Sequence, residues 1–408
     1  MRTFVGANCI RPLMGTIVVN WTGEHSSSLR KGLPMIYLDN AATTWPDPEV
    51  VSIMTETLTS CAGNPSSLHE PGRAAGRLLA ASRETLQTAL GGGGSVYFTS
   101  GGTESNNWAI QAALHAKRHT GRHVIATAVE HDAILAPLRE LADCGYEITL
   151  LPSDKSGQIS PVSLAEAIRP DTALVSVMLV NNETGSIFPL SEMAEIIRSR
   201  SSALFHTDAV QGFCKIPCKA TALGVDLLSI SAHKLHGPKG SGALWVRDGL
   251  KLPPLLRGGG QEAGLRAGTE PLHNIVGFAK AVELALSRFD ETTAHLEALQ
   301  AHIRETLPAV VPMVRLLPQG APHIVSLSLP GYKSEVLMNF LDSRSIAISH
   351  ASACKRGGRS HVLAVMGLPN DVIDGTLRVS FSRHNSFDDV NQLIVGLQDA
   401  AATLFPSL

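Results

Sequence analysis

A lysine, an aspartate and a run of small hydroxyl residues, each at the end of an apolar stretch, are the groups of this chain that could do chemistry. Lys234 lies between the apolar runs 227–230 and 243–246, and Gly237-Pro-Lys-Gly240 supplies the turn that joins them. A lysine that leaves a buried strand loses hydration, which disfavours its charged form, and a neutral amine can condense with a carbonyl. A solvated loop lysine is the plainer alternative. Asp208 closes the apolar run 203–205, where a carboxylate is costly unless paired, and a protonated heteroaromatic nitrogen would be a fitting partner. Gly101-Gly102-Thr103 precedes a predicted helix, so backbone N–H groups and a hydroxyl there would suit a phosphate; a helix start capped by Thr103 explains the same residues structurally.

The elements that must position these groups alternate. Strand-like runs at 96–99, 124–127, 148–151, 174–180, 203–206, 227–230 and 243–246 are separated by helical patterns that begin near Glu104, Asp132, Ser163 and Leu190. The pattern predicts an α/β fold with a seven-stranded, mainly parallel sheet, whose ligands sit beyond the strand ends. Helices are expected at 48–59, opened by Pro46-Asp47-Pro48, and at 73–90, stopped by Gly91-Gly-Gly-Gly94. Further on, strands at 323–329, 346–349 and 376–381 with helices near 334–343 and 387–404 predict a smaller α+β C-terminal domain. The expected division is an N-terminal extension without order, 1–34, then a large domain, 35–285, and a small domain, 286–408, to which 35–48 contributes.

With 408 residues, 44% apolar and 17% charged, and a formal charge of −2, the composition is that of a globular chain with no call for nucleic acid or an anionic membrane as partner. The six cysteines form no Cys-x-x-Cys pair, which favours a reducing compartment and the cytoplasm. Cys214 and Cys218 read as packing residues, and His115 with His119 as a solvated helix face, so no metal is expected.

The ordered motifs Tyr37-Leu-Asp-Asn-Ala-Ala-Thr-Thr44, Asn64-Pro-Ser-Ser67, Thr99-Ser-Gly-Gly-Thr-Glu-Ser-Asn-Asn107, Glu130-His131, Asn181-Asn-Glu183, Asp208-Ala-Val-Gln211, Ser231-Ala-His-Lys234, Gly237-Pro-Lys-Gly240 and Arg266-Ala-Gly-Thr-Glu270 resemble those of the cysteine desulfurases. These are class-V relatives of the aminotransferases, with the fold-type I fold of pyridoxal-phosphate-dependent transferases. The resemblance runs from Ile36 to about Leu404. It implies pyridoxal 5'-phosphate as cofactor, bound to Lys234, with Asp208 on the pyridine nitrogen, Gln211 on the phenolic oxygen and His131 over the ring as a proton carrier. Gly102, Thr103, Ser231 and His233 would hold the phosphate, and Thr269 would reach it from the second subunit of a homodimer. Asn182 and Arg378 match positions that bind the substrate carboxylate.

By the same resemblance Cys354 is the nucleophile that takes sulfur from L-cysteine as a persulfide, for transfer to an acceptor such as an iron–sulfur scaffold or a sulfur carrier. Lys355, Arg356 and Arg359 would favour its thiolate. Two features depart from the common pattern: the family's usual Ser-Gly-Ser-Ala-Cys is His350-Ala-Ser-Ala-Cys354 here, and the stretch from Cys354 to Leu363 is about two residues shorter than the common form with a long loop. A selenocysteine lyase, or another class-V lyase or aminotransferase, would keep Lys234 and Asp208 without depending on Cys354.

Overall fold

The computed structural model describes residues 35–351 and 359–406. The expected N-terminal extension and the stretch holding Cys354, Lys355 and Arg356 lie outside the described residues.

The first half of the chain builds one sheet from its alternating pattern. After β1 (Ile36–Tyr37), α1 (Pro48–Ser60) and α2 (Glu70–Ala89) come β2 (Gly94–Thr99), α3 (Gly102–Ala116), β3 (His123–Thr127), α4 (Asp132–Asp143), β4 (Glu147–Leu151) and α5 (Pro161–Ala167). The alternation continues through β5 (Thr172–Ser176), α6 (Leu190–Arg200), β6 (Leu204–Asp208), α7 (Ala220–Leu223), β7 (Leu227–Ser231) and β8 (Gly242–Arg247). The seven-stranded sheet has the order β2-β8-β7-β6-β5-β3-β4. Its pairs are parallel except at β8, which runs antiparallel to both β2 and β7.

Side chains alternate across this sheet with the two-residue period of a strand. Val124, Leu174, Leu204, Leu227 and Leu244 pack on one face with Trp108, Ile110, Ile134 and Leu138 of α3 and α4. Ile125, Val175, Phe205, Leu228 and Trp245 pack on the other with Leu190, Ile197, Ile275 and Phe278. Both faces are covered, so β3, β5, β6 and β7 are buried along their whole length, as expected of parallel strands. The predicted strand 174–180 is observed as β5 over Thr172–Ser176; beyond it Val177 N and Leu179 N still donate to His206 O and Asp208 O of β6, and Val180 bridges to Ile187.

The second half adds α8 (Leu272–Ser287), α9 (Phe289–Val310), β9 (Arg315–Leu316), β10 (Ile324–Ser328), α10 (Ser334–Ser343), β11 (Ile346–Ala347), β12 (Ser349–His350), α11 (His361–Val365), α12 (Asn370–Asp374), β13 (Thr376–Ser380) and α13 (Phe387–Thr403). The predicted strand 346–349 is two: β11 pairs in parallel with β1, whereas β12 joins the antiparallel sheet β12-β13-β10-β9. One face of β10 and β13 is apolar, with Val325, Leu327, Leu377 and Val379 against Leu299, Ile303, Leu393 and Leu397 of α9 and α13. The other face carries Ser326, Ser328, Thr376, Arg378 and Ser380, all buried. A buried polar face needs partners, and residues 38–41 supply some: Ser380 N donates to Leu38 O, and Ala41 N donates to Ser380 Oγ at 2.8 Å.

Gly242 opens β8 against the turn between β2 and α3. A Cβ there would lie 2.6 Å from Gly101 Cα and 2.8 Å from Ile230 O, both backbone atoms that cannot turn away. Gly242→Ala is therefore expected to cost about 1–3 kcal/mol through overpacking and to displace the Gly101 turn. Chemical denaturation with a cofactor titration would check both effects, and an unchanged midpoint with unchanged binding would refute the contact.

Candidate active site

Polar residues at the ends of β6 and β7 meet the segment 39–44. Lys234 follows β7 and is half-buried; its Nζ donates to Ala41 O at 2.7 Å and to Ala42 O at 2.6 Å. Gln211, in the turn after β6, donates through Nε2 to Ala41 O at 2.8 Å. His233 Nδ1 lies 3.2 Å from Thr43 Oγ1, and His233 O accepts from Thr44 N at 2.9 Å. Burial, then the charges of Lys234, Lys215 and Lys239, pull the His233 pKa down to about 4, so its ring is neutral near pH 7.

Asp208, the last residue of β6, is buried. Its Oδ2 accepts from Asn106 Nδ2 at 2.6 Å and its Oδ1 from Val210 N at 3.0 Å. Among the described residues no lysine or arginine forms an ion pair with it. No local signal in the sequence marks Asn106; it lies one helical turn after Gly102, which places its amide against Asp208 from within α3.

The turn before α3 separates the two readings of Gly101-Gly102-Thr103. The N-cap is Gly101, at φ 158°, with no capping side chain, and Thr103 is exposed in the first turn and does not cap. The first amides of α3 thus stay unclosed by a side chain, as an anion site requires. Ser231 Oγ, buried at the end of β7, has no hydrogen-bond partner. A phosphate monoester at this end, and a protonated ring nitrogen at Asp208, would use donors and an acceptor that the protein leaves open. The residues present fit pyridoxal phosphate.

His131 caps α4, with Nδ1 accepting from Ala133 N at 3.0 Å; its neutral ring then carries its proton on Nε2. Glu130 beside it is fully buried. Thr127 Oγ1 and Met178 N both donate to its Oε1 at 2.8 Å, yet burial, with a smaller contribution from Asp208, pushes its pKa up to about 8.

Arg378 lies on β13, an interior strand rather than an edge, and is 2% exposed. It donates to Asn182 O and to Asp39 Oδ1, each at 2.9 Å, while its Nε is buried without a partner. Asn182 is held through its neighbour: Asn181 Oδ1 accepts from Glu183 N and Thr184 N at 2.9 Å. Lys215 reaches toward Gln211 Oε1 at 3.5 Å. Burial, with Lys234 and Arg378 near, lowers its pKa to about 7; only its distance along the chain from Lys234 hid it at the sequence level.

Both flanks of the Cys354 stretch are anchored. On one side His350 of β12 pairs with Leu377 and Ala351 is buried. On the other, Ser360 Oγ donates to Glu183 Oε2 at 2.5 Å, and His361 Nε2 lies 3.1 Å from Glu130 O. Arg359 forms a two-pronged pair with Asp374, at 2.7 and 3.0 Å, and Asp374 also accepts from Lys333 Nζ at 2.6 Å. Thr269 is exposed, on a loop tethered by Arg266 Nε to Glu104 Oε1 at 2.9 Å, and no described site residue of this chain is bonded to it.

The family model for class-V aminotransferases matches residues 36–393, and the chain belongs to that family. It is 41% identical over 383 residues to the cysteine desulfurase IscS of Methanosarcina thermophila, which covers 92% of this chain and 93% of that relative. Among solved structures it is similar to a NifS-like protein (TM-score 0.85, 33% identity, covering 91% of this chain and 100% of the other) and to SspA in complex with cysteine (TM-score 0.75, 32% identity, 86% and 99%).

Because the folded pKa of Glu130 lies above its ordinary 4.5, the folded state retains a proton that the unfolded chain releases. Stability from this group is complete below about pH 4.5 and falls as pH rises toward about 8. Glu130→Gln keeps an acceptor for Thr127 and Met178 and cannot ionise. Its urea midpoint should match that of the unsubstituted chain near pH 4.5 and exceed it near pH 8; an equal difference at both pH values would contradict the buried titration.

Proposed function

We propose that this chain is a cysteine desulfurase that binds pyridoxal 5'-phosphate through Lys234, removes sulfur from L-cysteine and carries it on Cys354 to an acceptor protein. The observation that carries this reading is the meeting of Lys234, Gln211 and His233 on residues 41–44, with Asp208 and the unpartnered Ser231 hydroxyl at the adjoining strand ends. It is supported by relatives that bear the desulfurase name and by a structural neighbour described in complex with cysteine.

When bound, pyridoxal phosphate supplies an electron sink for the bonds at the substrate's α-carbon. Asp208 would hold a proton on the ring nitrogen, and Asn106 with Val210 N fixes the position of its carboxylate. Gln211 contributes its amide to the phenolic oxygen. Gly102, Thr103, Ser231 and His233 take the phosphate, joined by Thr269 of a second subunit in a homodimer. Arg378, pre-positioned by Asp39 and Asn182 O, receives the cysteine carboxylate, with the Asn182 side chain beside it.

His131, with Nδ1 committed to Ala133 N, moves a proton at Nε2. The Cys354 thiolate attacks the substrate sulfur: an S–S bond forms, the C–S bond breaks, and its electron pair stays on carbon, which takes up a proton to give alanine. In this reading residues 286–408, with 35–48, form the small domain that presents the Cys354 segment. The acceptor is an iron–sulfur scaffold or a sulfur carrier, and the setting is cytoplasmic; no described helix is long and apolar enough to cross a membrane.

Cys354→Ser should leave cofactor colour intact and abolish sulfide release from cysteine, because a serine hydroxyl is not ionised near neutral pH as a thiol can be. Alanine and sulfide assays, with persulfide mapping of the unsubstituted chain, check this. Undiminished product formation by the variant, or a persulfide on Cys61 or Cys214, would favour a selenocysteine lyase or another class-V enzyme. Asp208→Asn should slow turnover at saturating cofactor by about 10²-fold or more; unchanged kcat would remove the electron-sink role.

A further inference from the structure

Outside the cofactor cleft, three segments bring metal-ligating side chains together. Asp47 precedes α1, His236 follows Lys234 by two residues, and His384 lies in the turn after β13. One ligand atom from each falls within 4.8 Å of the others. Tetrahedral zinc spaces its nitrogen and oxygen ligands about 3.4 Å apart, so closing the set asks for movements of about an ångström. Asp47 Oδ1 and His384 Nε2 already face each other at 3.3 Å, and the two imidazole rings stand perpendicular with centroids 5.1 Å apart.

The surroundings orient these groups as ligands. His236 Nδ1 lies 2.9 Å from Trp45 O, which can only accept, so Nδ1 carries the proton and Nε2 keeps its lone pair. A ring nitrogen tied to a backbone carbonyl is the usual support of a metal-bound histidine. The His236 backbone is held at φ 62°, a left-handed conformation uncommon outside glycine, with His236 N donating to Thr44 Oγ1 at 2.8 Å. Arg383 pairs with Asp47 Oδ2 and leaves Oδ1 toward the histidines. Asp47 and His236 are buried, whereas the His384 side chain is 57% exposed, which gives an ion a path from solvent and a fourth position for water.

We propose that Asp47, His236 and His384 form a binding site for a divalent transition ion of the zinc class. Two imidazoles and one carboxylate suit zinc or cobalt(II) rather than calcium or magnesium, which prefer all-oxygen sets. The Arg383 charge weakens the site without occupying Oδ1. A bound ion ties the start of α1, the turn after Lys234 and the turn after β13 into one unit, and so stabilises the folded chain by mass action.

The test uses the full chain, loaded with pyridoxal phosphate, stripped with chelator and with its thiols blocked. Cobalt(II) chloride and zinc sulfate are titrated while cobalt visible absorption and thermal midpoint are followed. The expected result is one equivalent bound, a tetrahedral cobalt spectrum and a raised midpoint. His384→Ala, at an exposed position that leaves the fold intact, should weaken binding by at least about tenfold and erase the midpoint shift. Absence of binding by the thiol-blocked chain, or equal binding by His384→Ala, would overturn the site and leave the cluster as an ion-paired pin between loops.

Discussion

Two backbone carbonyls, Ala41 O and Ala42 O, converge on the amine of Lys234, and the geometry of the site depends on that meeting. A strand-end lysine has four flexible methylenes, so its amine is positioned only if something fixes the far end. Residues 39–44 do this because they are themselves clamped: Asn40 Nδ2 and Ala41 N bond to Ser380, Gln211 bonds to Ala41 O, and His233 holds Thr43 and Thr44. One short segment thereby couples the strand ends of the parallel sheet to the polar face of β13, and it brings Arg378 into the same cleft through Asp39.

Several charged groups lie around that segment. Arg378, Lys215 and Lys234 lie on the side of β13 and the turn after β6, and each affects a neighbour: Lys234 and Arg378 lower Lys215, while Lys215 and Arg378 add to the burial that keeps His323 neutral. Asp208 accepts from Asn106 of α3, and Glu130 comes two residues before α4 and feels the Asp208 charge. A ligand that carries an anionic carboxylate and a protonated aromatic nitrogen would find Arg378 for the first and Asp208 for the second. Burial keeps Glu130 protonated near pH 7.

Much of this was legible because it follows local rules. The apolar runs of β3, β6 and β7 and the polar residue ending each are one-dimensional signals, and Lys234, Asp208 and His131 were read from them. What escaped depends on tertiary pairing. Nothing local to Asn106 says that its amide meets Asp208 across 102 residues of chain. The run 346–349 reads as one strand until β11 is drawn to β1 and β12 to β13. Arg378 reads as either face of a strand until the serines and threonine beside it show that the polar face of this sheet is buried.

The central claim is that Lys234, rather than Lys215 or Lys239 nearby, is the amine on which the cofactor is carried. Borohydride reduction of the pyridoxal-phosphate-loaded chain, followed by proteolysis and mass spectrometry of the peptides, measures this directly. The account predicts loss of the visible colour and a pyridoxyl group on Lys234 alone; a pyridoxyl group on Lys215 or Lys239, with Lys234 unmodified, would contradict it.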